Sequence, residues 1–179
     1  MAASTGVHVT APTLPVIRFR HVAFDYTTIP TKRSAAGILF TRDTTRDHGE
    51  LLLVEPTYKP DWEIPGGAVE RDESPRAAAR RETHEELGLT VEPGRLLVVD
   101  WSPARGARTE GFMFIFDGPD LDPDQIRLQP EELRSLAWCT PDESDTRTAP
   151  PLARRIRSAL VARKTGETLY LEDGNPTLG

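Results

Sequence analysis

Three glutamates, Glu82, Glu85 and Glu86, stand close together in the run GAVERDESPRAAARRETHEELGL (67–89), at offsets of three and four from the first. In a helix such positions share a face, so the three carboxylates fall within one arc. Left without a partner they repel one another and weaken the helix. The repulsion asks for a cation. Hard carboxylate oxygens suit Mg²⁺ or Mn²⁺, and Mg²⁺ binds few protein carboxylates while keeping waters and phosphate oxygens as its other ligands. On an arbitrary helix a glutamate-rich face is merely solvated. Here Trp62-Glu63-Ile64-Pro65-Gly66-Gly67 stands immediately before it, and paired glycines let the main chain turn tightly and approach a ligand closely. Loop and acidic face make one unit.

The element that must carry these carboxylates can be bounded residue by residue. Ser74 is a good N-cap, and Pro75 suits the first helical position because its missing N–H has no partner there anyway. The stretch PRAAARRETHEEL is rich in helix formers, and Gly88 can take the left-handed conformation that ends a helix. A helix is therefore expected from Pro75 to Leu87. Ala79, Thr83 and Leu87 form a neighbouring stripe, the face expected to pack on a sheet.

The offsets of Gly67, Glu73, Arg81, Glu82, Glu85, Glu86 and Gly88 resemble the Nudix box, G-x5-E-x7-R-E-U-x-E-E-x-G-U, in which U is a bulky apolar residue. The final U is Leu89; the one departure is Thr83, where the pattern prefers an aliphatic residue. The resemblance implies an α/β protein, an α/β/α sandwich with a mixed β-sheet and helices on both faces. It implies metal-dependent hydrolysis of the P–O–P bond of a nucleoside diphosphate derivative by water, with Mg²⁺ or Mn²⁺ as cofactor. Glu82, Glu85 and Glu86 are then the metal ligands, joined by the carbonyl of Gly66. Gly67, Glu73, Arg81 and Gly88 support them structurally. Glu82 is one candidate general base. Glu132 is the other, because it precedes Trp138 by a spacing similar to that of the additional loop glutamate of several Nudix enzymes. In the plainer reading Glu131 and Glu132 open a short helix. The alternative function is a Nudix-fold sensor that binds a nucleotide without cleaving it.

Substrate choice should lie outside the box. Tyr58 and Trp62 before the glycine pair, and Trp101 further on, could stack on a nucleobase, while Arg105 and Arg108 could reach phosphate. The formal net charge of −6 argues against a general nucleic-acid surface and for a compact anionic small molecule held by metal. The single cysteine, Cys139, excludes an internal disulfide and a cysteine zinc cluster, and its apolar surroundings suit a buried, inert thiol. No apolar segment approaches the length of a membrane span, so a soluble, cytoplasmic protein is expected.

The expected organisation is a flexible tail (1–15), one domain (16–171) and a loose C-terminal tail (172–179). Residues 16–24 suit an edge strand that could pair with a second copy in a homodimer. Residues 35–40 and 51–54 read as strands joined in a hairpin, as do 96–101 and 112–116. Residues 150–164 give an amphipathic helix through Leu152, Ile156 and Leu160, and 168–171 a last strand.

Overall fold

Period-two alternation in two apolar strands decides the layering. The computed structural model describes residues 25–42 and 49–177. In β1 (Arg33–Leu39) and the residue after it, Ala36, Ile38 and Phe40 join one buried cluster while Leu39 joins another. In β3 (Glu50–Pro56), Leu52 and Val54 join the first cluster, Leu51 and Leu53 the second. Both faces of these strands are therefore covered. Helix α1 (Pro75–Leu87) supplies Ala78, Ala79 and Leu87 to the first cluster, and α3 (Pro150–Thr165) supplies Ile156, Ala159 and Ala162 to the second. That is an α/β/α sandwich.

The β layer is two sheets rather than one. The larger is mixed, in the order β4 (Gly66–Ala68), β1, β6 (Gly111–Asp117), β5 (Leu96–Ser102), β8 (Leu169–Glu172), β9 (Asn175–Pro176). Strands β1 and β6 run parallel, as do β5 and β8. The smaller is antiparallel, in the order β2 (Thr41–Arg42), β3, β7 (Leu133–Cys139).

Several expectations change at this level. The hairpin between residues 35–40 and 51–54 shrinks to Thr41 and Arg42 opposite Leu51 and Glu50, because β1 spends its edges on β4 and β6. Glu131 and Glu132 open no helix; they lie in a turn, closed by the Glu132 N–H on the Gln129 carbonyl at 3.1 Å, that leads into β7. Strand structure continues past 171, since Glu172 belongs to β8 and Asn175–Pro176 pairs with it. A short helix α2 (Pro141–Arg147) was not foreseen, although Thr140 and Glu143 form a reciprocal capping box readable in the sequence. The first 24 residues, including the expected edge strand and the homodimer it could form, lie outside the described residues. By contacts the chain divides at residue 30, and the described part of the first unit is one 3-10 turn, Tyr26–Thr28. Among the described residues no helix is long and apolar enough to cross a membrane.

The caps of α1 are local and simple. Ser74 Oγ accepts the Ala77 N–H at 3.2 Å, Pro75 opens the helix, and Gly88 at φ 68° closes it. Thr83, the unexpected polar residue on the packed stripe, is wholly buried, and its hydroxyl donates to the Ala79 carbonyl at 2.8 Å. The stripe is thereby satisfied without an aliphatic residue.

Because α3 closes the second cluster through Ile156, which is fully buried, Ile156→Ala should cost about 2–5 kcal/mol of stability. Urea denaturation of the two proteins measures it. A loss well under 1 kcal/mol would mean that the α3 side of the core is not packed as described.

Candidate active site

Two glycines bring the sheet edge against the acidic helix. Strand β4 pairs with β1 in the register Ala35 with Ala68, Ala36 with Gly67, Gly37 with Gly66. Gly66 has φ 146°, and a Cβ there would stand 2.3 Å from the Ala36 carbonyl oxygen. A Cβ on Gly67 would stand 2.5 Å from the Glu82 carboxyl carbon. Gly66 admits no side chain, and one at Gly67 would push the Glu82 carboxylate aside. The Gly66 N–H then donates to Glu86 Oε2 at 2.9 Å, tying the glycine loop to α1.

Arg81 organises the rest of the acidic face. Its Nε and Nη2 clasp Glu73 in a two-point fork, at 2.9 Å each. Its Nη1 donates to Glu82 Oε1 at 2.9 Å and to Glu85 Oε2 at 2.8 Å, and Nη2 also reaches the Ala68 carbonyl at 3.0 Å. The pairing with Glu73, first of all, raises the Arg81 pKa above its ordinary value. Glu82 Oε2, Glu85 Oε1 and Glu86 Oε1 are left without a hydrogen bond among the described residues. Each carboxylate of the arc thus keeps one oxygen for a ligand.

The arc is graded in burial rather than uniformly exposed. Glu85 is exposed, Glu82 half-buried, and Glu86 only 8% exposed. Burial raises the Glu82 pKa against the lowering pull of Arg81. Burial pushes Glu86 up to about 8, aided by the charges of Glu82, Glu63 and Glu132, and only the Gly66 N–H opposes it. Glu132, on the turn before β7, is therefore close enough to act on both Glu82 and Glu86 through its charge. Glu63, which the sequence reading passed over, acts on Glu86 in the same way from beside Val54, with Lys59 as its ion-pair partner.

Beside the glycines lies a cavity of about 390 Å³. Gly66 and Gly67 form part of its wall, and Gly67 lies against Glu82 of the acidic helix. Tyr58, Trp62, Arg105 and Arg108 all line it, whereas Trp101 does not and donates its indole N–H to Glu110 at 3.2 Å. Tyr58 is 72% exposed; Trp62 is half-buried, with the Arg147 guanidinium 4.7 Å from its ring centroid. Arg105 is paired with Asp173. Cys139 is buried away in the α3 cluster, and burial raises its pKa, as suits an inert thiol.

A family model described as the NUDIX domain matches residues 31–160, the stretch that carries the acidic helix and most of the cavity wall. The chain belongs to the Nudix family. A MutT-like protein of Streptomyces ambofaciens is 32% identical over 127 residues, 71% of this chain and 75% of that protein. The CTP pyrophosphohydrolase of Escherichia coli K12 is 33% identical over 100 residues, 54% of this chain and 70% of that protein. Among solved structures, a MutT protein from Methanosarcina mazei superposes with a TM-score of 0.60 at 21% identity, covering 76% of this chain and 96% of that one. That likeness concerns the fold. With the family goes the enzyme class, a Nudix pyrophosphohydrolase.

In this Nudix protein two cavity arginines were not singled out as site residues from the sequence, Arg33 and Arg155. Arg33 opens β1 and Arg155 lies in the second turn of α3, so only the packed fold brings them together. No local signal marks either.

Glu86 also gives the metal-free protein a pH dependence of definite sign. Its folded pKa, about 8, lies above the ordinary 4.5, so between those values the folded state holds more protons than the unfolded one. Stability in EDTA should therefore fall as pH rises through this window. Glu86→Gln should flatten the fall in thermal midpoint between pH 5 and 8.5. Equal slopes for the two proteins would remove the buried proton.

Proposed function

We propose that this Nudix protein hydrolyses the diphosphate bond of a nucleoside diphosphate derivative, with Mg²⁺ or Mn²⁺ held by Glu82, Glu85, Glu86 and the Gly66 carbonyl. The observation that carries the reading is the set of three free carboxylate oxygens beside the glycine wall of the cavity. The donors fit such an ion. They are hard oxygens, and Glu86 is a buried carboxyl with one N–H partner, whose proton a cation would displace. Among the described residues no three His, Cys, Asp or Glu side chains stand together so as to hold a metal ion by themselves, so the three glutamates would have to draw together around it. Water and phosphate oxygens would complete the sphere, which is the habit of Mg²⁺ rather than of a structural zinc.

When bound, the cation neutralises the phosphate charges and makes water a better nucleophile. The chain supplies the rest. Arg81 holds Glu82 and Glu85 in place, and Gly66 holds Glu86. Glu132 is the better candidate to take the proton of the attacking water, because its carboxylate carries no hydrogen bond among the described residues, whereas Glu82 is already engaged by Arg81. Tyr58 and Trp62 offer ring surface for a base, and Arg105 a guanidinium for phosphate.

Two substitutions test this reading. Glu85→Gln keeps an acceptor for Arg81 but removes a ligand charge from an exposed position, so kcat should fall about 100-fold or more, with stability within about 0.5 kcal/mol of the parent. Glu132→Gln should lower kcat while leaving the Mg²⁺ concentration for half-maximal rate in place. The assay is phosphate release from a panel of nucleoside diphosphate derivatives with and without Mg²⁺. Unchanged turnover in Glu85→Gln would end the metal assignment. A nucleotide that raises the thermal midpoint yet is never cleaved would favour the sensor.

A further inference from the structure

The cavity carries a second chemistry at the end of β1 away from the glycines. Arg33, Arg108 and Arg155 reach it from three separate elements: the start of β1, the loop between β5 and β6, and the second turn of α3. Their charges are close enough to oppose one another. Arg33 has its pKa lowered by burial first, then by the charges of Arg108 and Arg155.

What holds these guanidinium groups leaves them open to a ligand. Arg155 is oriented by Asp100, which is wholly buried on β5 and also accepts the Gly174 N–H at 2.8 Å. That pairing uses Nε, so both terminal nitrogens of Arg155 remain without a partner among the described residues. Arg33 spends Nε on the Thr109 carbonyl at 2.6 Å and makes only a long contact from Nη1 to the Met113 sulfur, at 3.9 Å. Arg108 has no side-chain partner among the described residues; its backbone bridges to Arg105. The acidic residues on the same wall are Asp61 and Glu63, and Glu63 is taken by Lys59. Three guanidinium groups therefore share one cavity with a single hydrogen-bonded carboxylate, Asp100, between them, while the charge of Asp173, held by Arg105 and Arg154, also acts on Arg155.

A helix start could have served the same end, but here it does not. Pro150 and Pro151 have no N–H, and the N–H groups of Leu152 and Ala153 already bond the Ala149 carbonyl, at 2.9 and 3.0 Å. Donation falls to the arginines. Guanidinium forks match phosphate oxygens in shape and charge.

We propose that Arg33, Arg108 and Arg155 form a phosphate-monoester subsite, so that the preferred substrate is a nucleoside diphosphate derivative bearing an additional phosphate away from its diphosphate. Gly37 pairs with Gly66 and stands four positions along β1 from Arg33, about 13 Å between α-carbons, so the backbone places the arginine and glycine ends of the cavity apart. A ligand that touches both ends places its anionic groups on separate moieties. The proposal rests on the hydrolase reading for the diphosphate, but the subsite can be tested without turnover.

Matched pairs of dinucleotides and coenzymes that differ by one phosphate monoester serve as probes: NADPH with NADH, and coenzyme A with its 3′-dephospho form. In the intact protein, kcat/KM should favour the phosphorylated member of at least one pair by about tenfold. Arg108→Ala, at an exposed position, should cut that ratio at least fivefold, and Arg33→Gln should do the same. Calorimetric binding of the same pairs in EDTA reads the subsite when no pair is cleaved. A binding preference that Arg108→Ala abolishes then supports the subsite even if the hydrolase reading fails. Equal kcat/KM and equal binding within both pairs would overturn it, as would a preference that neither variant changes.

Discussion

One guanidinium group carries the site. Arg81 has five N–H donors, and all five are committed: two to Glu73, one each to Glu82 and Glu85, and one to the Ala68 carbonyl. A lysine could not do this, having three donors and no planar fork. The bond to Ala68 joins the helix to β4, and the pair of bonds to Glu73 joins it to the loop before α1. Arg81 therefore neutralises part of a helix face that would otherwise repel itself, and at the same time fixes the sheet edge against that face. What it does not reach is Glu86. The one buried carboxyl of the arc has a single backbone N–H, and burial, with no cationic partner to offset it, pushes its pKa up to about 8.

Strand β1 is the second constraint, because it touches everything that matters. Its antiparallel edge holds β4 and the glycines; its parallel edge holds β6 and the loop that delivers Arg105 and Arg108. Its two faces feed the two cores. Gly37 belongs to the same logic: a Cβ there would stand 2.8 Å from the Pro65 carbonyl, whose oxygen accepts the Ile38 N–H. The close approach of β4 to β1 thus needs glycine on both strands. The acidic face and the cavity both adjoin this seam, so a shift of register at β1 would disturb both together.

What the sequence made legible was what is local. The limits of α1 follow from Ser74, Pro75 and Gly88, and those of α3 from Pro150 and the apolar spacing, because caps and helical periods are set within a few residues. Strand existence was readable from short apolar runs, but strand pairing was not. Residues 35–40 and 51–54 look like hairpin partners, yet β1 prefers β4 and β6 because those neighbours let it bury both faces and both edges. The carboxylate arc was legible as an arc, but its gradient was not, since the burial of Glu86 depends on where the glycine loop docks. Aromatic and arginine candidates near the box were picked out by residue type. Arg33 and Arg155 were not, because 122 residues of chain separate them and only the packing of α3 on the sheet makes them neighbours.

The charge distribution that results is polar in the literal sense. Overall the chain is acidic, with a net charge of −6, and the seam between β1 and β4 has carboxylates on its helix side. The far end of the cavity is basic. An anionic ligand is repelled by the first end unless a cation stands there, and attracted to the second with or without one. On the proposed reading binding and chemistry are thereby separable: the arginines would hold an anion without a metal at the carboxylates, whereas a diphosphate would need the metal to approach them. Arg155 shows how firmly this is built in. Its partner Asp100 is buried on the middle of the sheet and tied to the β8–β9 turn through Gly174, so the C-terminal hairpin, far from the acidic helix in sequence, helps to set the basic end of the site.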